Sequence, residues 1–187
     1  MNSRPANTAT VPWPDGVSPD DIVPVERATW EIPTAPAPSE RMRDLDFLLG
    51  DFRGEYLDFT SQAPTSGVSS WQTRATHSGH IYELTLSVPV PKLNSRWIFG
   101  WHEPDACFYE IYHDDWGNHG RATSPGWQQG RLKFTGEFHM GGFQPGLVLV
   151  TQDEYMVVDE NHFAKHEVIQ TGEDSWVLAD IVNCYRI

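Results

Sequence analysis

The sequence predicts an all-β protein: an up-and-down antiparallel β-barrel of about ten strands, preceded by a short helix and a proline-rich N-terminal arm. Three observations lead there. After Gly50 the apolar period becomes two and stays so to the C-terminus. Segments rich in Tyr, Trp, Phe, Val and Thr alternate with clusters of Gly, Pro, Asn and Asp. The connections are short, which makes consecutive strands neighbours, and closing such a meander removes its two unpaired edges.

The arm comes first in the chain. Residues 1–38 hold eight of the fourteen prolines, too closely spaced for a helix or a central strand. Trp13 and Trp30 nevertheless stand among Val11, Val17, Ile22, Val23 and Ile32, a content unlike that of a disordered tail. The expectation is a strap that buries its tryptophans as a lid over a single domain of residues 39–187. Ser39 then opens a helix, with Met42, Leu45, Leu48 and Leu49 at helical spacing and Gly50 as the stop. The expected strands are 51–60, 68–77, 80–88, 95–102, 107–114, 119–124, 131–139, 147–157, 162–170 and 175–186. Trp116-Gly117-Asn118, Gln129-Gly130, Asp159-Glu160-Asn161 and Gly172-Glu173-Asp174 supply tight turns.

Composition narrows the partners. Thirteen Lys and Arg against 26 Asp and Glu give a net charge of −13, which repels phosphate backbones and anionic membrane surfaces. Nucleic acid and membrane are thereby excluded as expected partners. No run approaches the roughly 18 apolar residues of a membrane span, and residues 1–38 lack the pattern of a signal peptide, so a cytoplasmic location is expected. Cys107 and Cys184 lie in apolar runs without metal or redox spacing and are expected as reduced core residues.

The segment Leu45-Asp46-Phe47-Leu48-Leu49-Gly50-Asp51-Phe52-Arg53-Gly54-Glu55 resembles the start of the calycin superfamily, where a short helix leads into a Gly-x-Trp strand. It is most similar to small bacterial lipocalin-like proteins that begin Leu-Leu-Gly-x-Trp-x-Gly, with the haem-binding nitrobindins as cousins; here Phe52 stands in the Trp position. Tyr112-His113-Asp114-Asp115-Trp116-Gly117, Gly126-Trp127, Leu132-Lys133-Phe134-Thr135-Gly136-Glu137 and the terminal Tyr185-Arg186 extend the resemblance over about residues 40–187. It implies a lipocalin-like barrel, with Phe52 pointing inward and Arg186 packed over it. It leaves function open.

Candidate working groups are titratable residues that share a strand face with apolar ones. Glu83 shares its face with Ile81, Thr85 and Ser87; Glu110 and Tyr112 share theirs with Phe108 and Asp114; either face of these two strands suits the interior. His102 joins Ile98 and Gly100, and His166 joins Ala164 and Val168. Glu83, Glu110, Tyr112, His102 and His166 are therefore the expected acids and bases. With Phe52 inward, Gly54, Tyr56 and Asp58 follow it. Trp97, Phe99 and Trp101 form an aromatic wall that is either plain core or a platform for a flat ligand. Phe52, Tyr56, Trp97 and Trp101 are the expected ligand-binding residues.

All eight histidines follow residue 76, yet no metal-binding spacing is present, and His162 and His166 stand roughly 13 Å apart along a strand. No metal and no cofactor are expected. Nucleophile elbows, Walker loops and dinucleotide fingerprints are absent. The resulting expectation is a barrel enclosing a small apolar or polycyclic substrate. It is either a cofactor-independent cyclase or isomerase of natural-product biosynthesis, or a non-catalytic carrier of a hydrophobic metabolite or a nitrobindin-like haem protein.

Overall fold

The computed structural model describes residues 34–187. The arm expected over residues 1–38, with Trp13 and Trp30, lies almost wholly outside them, and the unit Ala37–Ile187 is described by itself.

Its entry helix, Glu40–Leu48, is a 3₁₀ helix whose N-terminus is capped by the Ser39 hydroxyl accepting from the Arg41 N–H. The buried residues are Met42, Leu45 and Leu48. Their spacing of three matches a helix with three residues per turn, which stacks them in one stripe. Leu49, the fourth residue expected in that stripe, is instead the extended residue that ends the helix.

Eleven strands follow: β1 Gly50–Asp58, β2 Thr65–Thr76, β3 Ile81–Val88, β4 Leu93–His102, β5 Cys107–Asp114, β6 His119–Ser124, β7 Trp127–Gln128, β8 Arg131–His139, β9 Val148–Asp159, β10 His162–Gly172 and β11 Ser175–Arg186. All the expected strands are present with ends shifted by a few residues; β7, a two-residue spur on β8, is additional. Apart from β6 and β7, neighbours along the chain pair antiparallel, β11 returns to β1, and β6 pairs with β8. The ten long strands thus form a closed up-and-down barrel. The Gln129-Gly130 turn has both residues at positive φ, 52° and 75°, as a tight hairpin requires.

Alternation then decides what fills the interior. Phe52, Phe99, Phe108, Phe134, Tyr155 and Phe163 are almost completely buried, and their rings meet edge to face: Phe52 with Phe163 at 5.0 Å and Phe99 with Phe134 at 5.6 Å. Each such side chain contributes about 1.5–3 kcal/mol by leaving water. The entry helix caps this packed end. Tyr82 donates to Asp46 at 2.6 Å, the Trp127 indole donates to the Asp44 carbonyl at 3.0 Å, and the Arg41 guanidinium lies 5.1 Å from the Trp101 ring centre. Cys184 is buried, Cys107 is half-buried, and both are free thiols. No helix among the described residues is long and apolar enough to cross a membrane.

Candidate functional site

The end of the barrel away from the entry helix is hollow. A cavity of about 260 Å³ lies there, with Trp71, Leu86, Val88, Trp97, Phe138 and Leu149 among its apolar walls. Trp71 and Trp97, on β2 and β4, stack with ring centres 6.2 Å apart and planes 12° from parallel, and Tyr112 leans on Trp97 at 4.7 Å.

The polar wall is built by register. Asp58 on β1 pairs with Asp180 on β11, Asp180 with Glu167 on β10, and Glu167 with Asp153 on β9. Four carboxylates therefore stand in one row across four strands, and all four line the cavity. A bulge helps to set the row: β10 and β11 slip between Glu167 and Val168, so that two consecutive residues, Ala179 and Asp180, both reach the cavity. Two residues before Glu167, Lys165 shares its inward face. Its ammonium lies 2.8 Å from Asp153, 3.2 Å from Glu167 and 3.9 Å from Asp180. The Lys165 side chain is only 4% exposed and that of Asp153 only 5%, whereas Glu167 and Asp180 keep 27% and 28%. The buried ion pair thus has an accessible acidic rim.

Behind Asp153 stands Glu110, fully buried, with neither carboxyl oxygen meeting an N–H or hydroxyl donor. Small residues make room for it: Glu110 pairs with Ala122 on β6, and Ala122 pairs with Gly136 on β8. Burial first, and the neighbouring Asp153 charge second, raise the Glu110 carboxyl well above the carboxylate range. Its environment therefore favours the protonated form, and the contact with Asp153 adds to that. Burial also raises Asp153 to about 6 against the pull of Lys165, and Asp180 to about 7. Burial alone would lower the Lys165 amine, but Asp153, Asp180 and Glu167 outweigh it and hold the ammonium form. Tyr155 is buried in the same region with an unpartnered hydroxyl. The cluster can therefore hold and exchange a proton near neutral pH, and it can stabilise an anion beside Lys165.

Of the residues expected from the sequence, Glu110 and Tyr112 point inward. Tyr112 lines the cavity and donates to Asp114 at 2.6 Å; burial and that bond raise its phenol well above its ordinary range. Glu83 is on the outer face, because Tyr82 and Leu84 take the buried positions of β3, and it accepts from the Thr76 hydroxyl at 3.1 Å. His102 is exposed and 3.0 Å from Asp105. His166 alternates with the inward Lys165 and Glu167, and faces out beside Ile181 and Glu154. Among the expected ligand contacts, Tyr56 and Trp97 line the cavity, and the Tyr56 hydroxyl donates to the Val90 carbonyl at 2.9 Å. Phe52 and Trp101 belong to the packed end, Phe52 beneath Arg186 and Trp101 beneath Arg41.

Sequence reasoning passed over Asp153, Lys165, Glu167 and Asp180. The signal was present in β11, where Asp180 shares its face with Val182 and Cys184, and in β9, where Asp153 shares its face with Tyr155.

A haem of the kind the nitrobindin resemblance implies needs an imidazole reaching into the cavity. Among the described residues no histidine lines it, and its one buried amine is ion-paired. The donor set does not fit that group. Nor does any group of three or more His, Cys, Asp or Glu among the described residues have metal-binding geometry.

No family model matches the chain, and no curated protein matches it. Among solved structures, Rv2717c from M. tuberculosis superposes with a TM-score of 0.57 at 8% identity, covering 80% of this chain and 99% of that one. A protein of unknown function of the DUF3598 family, from Nostoc punctiforme PCC 73102, gives a TM-score of 0.41 at 12% identity. That match covers 82% of this chain and 50% of the other, so the chain spans about half its length. The likeness to Rv2717c is one of fold.

Proposed function

We propose that the barrel is an enzyme that binds a small, largely apolar molecule and moves a proton on it, an isomerase or cyclase that draws on its own carboxyl and amine groups. The observation that carries this is Asp153, which lines the cavity with the Lys165 ammonium 2.8 Å away and the fully buried carboxyl of Glu110 beside it. As a carboxylate held ionised by Lys165, Asp153 takes a proton from a carbon next to a carbonyl or double bond, which spreads the negative charge onto the substrate's oxygen or π system. The proton returns from Asp153 to another carbon and the double bond has moved. In a cyclase the carbanion instead adds to a second carbonyl carbon of the same molecule, whose C=O π bond breaks as the ring closes, and the oxygen so formed takes the proton back from Asp153. Glu110 is a positioning residue that acts through Asp153: its contact favours the Asp153 carboxylate, against the burial that raises it. A carrier would need only the apolar wall, whereas an acidic row around a buried ammonium costs stability that proton transfer explains.

The test is hydrogen exchange at carbon. A panel of cyclic ketones and enones, with and without an amino group, is incubated with the protein in heavy water and followed by mass spectrometry. Accelerated deuterium uptake in at least one is expected, falling about 10²- to 10⁴-fold in Asp153→Asn. Absence of exchange across the panel, or an Asp153→Asn variant as fast as the parent, overturns the proposal.

A further inference from the structure

The cavity wall has a charge imbalance that the barrel itself does not relieve. Asp58, Asp153, Glu167 and Asp180 face the lumen, and Lys165 is the one cationic residue among the described residues that line it. Like charges directly opposite each other on neighbouring strands repel, and here three such pairs follow one another across β1, β11, β10 and β9. Lys165 sits under the Asp153 side of the row; Asp58 spends its carboxylate on the Thr60 amide and hydroxyl, at 2.7 and 2.6 Å. Glu167 and Asp180 line the cavity with side chains that stay partly accessible.

A second, independent feature lies across the lumen. In the ring of ten strands β4 stands diametrically opposite β10. Its Ser95 and Trp97, 3% and 7% exposed, line the cavity, and neither the Ser95 hydroxyl nor the Trp97 indole N–H has a partner. A buried donor left unmade is costly, and an acceptor brought to this wall by a ligand would remove that cost. Between the two walls lie the parallel faces of Trp71 and Trp97, which attract both flat apolar groups and cations.

We infer that the natural ligand is an apolar molecule bearing one cationic nitrogen, held against Glu167 and Asp180, and an oxygen acceptor directed at Ser95 and Trp97. This deepens the proposed function by naming its substrate class: it rests on the cavity being the substrate site, and is independent of the proton-transfer step. An amino ketone or amino alcohol with a ring-sized apolar body has this chemistry. A fatty acid has the opposite charge.

The experiment compares four probes of one shape by calorimetry: an aryl alkyl ketone ending in trimethylammonium, its uncharged tert-butyl isostere, the ammonium compound with the ketone reduced to methylene, and the matching carboxylate. The expected order is ammonium ketone first, with the isostere and the methylene compound each weaker by about tenfold or more and the carboxylate weakest. Asp180→Asn and Glu167→Gln, which relieve repulsion and so keep the fold, should reduce the preference for ammonium over the isostere to a few-fold. Trp97→Phe should remove the preference for the ketone. Binding of the ammonium ketone near neutral pH should also release protons, seen as a dependence of the apparent enthalpy on buffer ionisation heat. Equal or tighter binding of the isostere, an ammonium preference unchanged in both carboxylate variants, or no binding by any probe at millimolar concentration overturns the inference. Carbon exchange without a cation preference would leave the proposed function standing and this inference rejected; a cation preference without exchange would do the reverse.

Discussion

The Arg186 guanidinium lies 4.5 Å over the ring of Phe52, and the two residues are register partners on β11 and β1. The same guanidinium donates to the Leu49 carbonyl at 2.6 Å, so the last strand is tied to the entry to the first. Gly50, at φ +121°, passes so close that a Cβ there would stand 2.3 Å from the Arg186 Nη1. The Leu-Leu-Gly start therefore has a local cause: the chain must turn beneath an arginine.

Arg186→Ala is expected to lower stability by about 1–2 kcal/mol, through loss of a cation–π contact and a charged hydrogen bond. In a chain of this size that shifts the melting temperature by roughly 2–8 °C, measured by circular dichroism. Arg186→Lys should recover only part of it, since an ammonium cannot both lie flat on a ring and bond the carbonyl. An unchanged melting temperature in the alanine variant would show that the clamp holds nothing.

Lys165→Met is expected to cost about 3–5 kcal/mol, because it leaves buried carboxylates without their counter-charge. The loss should shrink on acidification, when Asp153 and Asp180 become neutral. Combining it with Asp153→Leu should restore part of the stability at neutral pH, since no unpaired charge then remains at the deepest position. Urea denaturation of the single and double variants at pH 5 and pH 8 reads this directly. Equal losses at the two pH values would mean that packing, and not charge, explains the site.

Gly136 marks the seam where β8 meets β6. A Cβ there would fall 1.9 Å from the Arg121 carbonyl oxygen. Gly136→Ala must therefore push the two strands apart, and an expected cost of about 1–3 kcal/mol follows from the strain. Deuterium exchange should rise first in β6 and β8. Uniform exchange across the barrel would argue against a local seam.

The barrel was legible because period two, turn chemistry and short connections are local properties of the chain. The positions of Phe52 and Arg186 were legible through the resemblance around Gly50. The site was harder, because its row is a product of register. Asp58, Asp153, Glu167 and Asp180 are far apart in sequence and become neighbours only through the pairings of β1, β11, β10 and β9. Alternation gives two faces for each strand without saying which is inner. Glu110 and Tyr112 could be named from their faces, whereas Glu83, His102 and His166 obeyed the same rule on the outer surface. The slip at Val168 also brings Ala179 and Asp180 to the cavity together, and nothing in strict alternation anticipates it.

The proton affinities of the row set a pH dependence with a definite sign. In the unfolded chain an aspartate ionises near pH 3.9, while in the barrel burial raises Asp153 to about 6 and Asp180 to about 7. Between those values the native state holds protons that the unfolded state has released, so stability falls as pH rises. The contribution is complete below about pH 4 and is lost as pH passes through about 6 and then about 7. Asp180 keeps 28% of its side chain accessible and is partly hydrated by the cavity, so Asp153 contributes the larger share. The melting temperature is expected to be higher at pH 5 than at pH 8, and Asp180→Asn should flatten that slope by removing its upper part. Thermal unfolding in a constant-ionic-strength buffer series checks both. A melting temperature that climbs between pH 5 and pH 8, or a slope unchanged in Asp180→Asn, would show that the row is ionised throughout and that Lys165 outweighs burial.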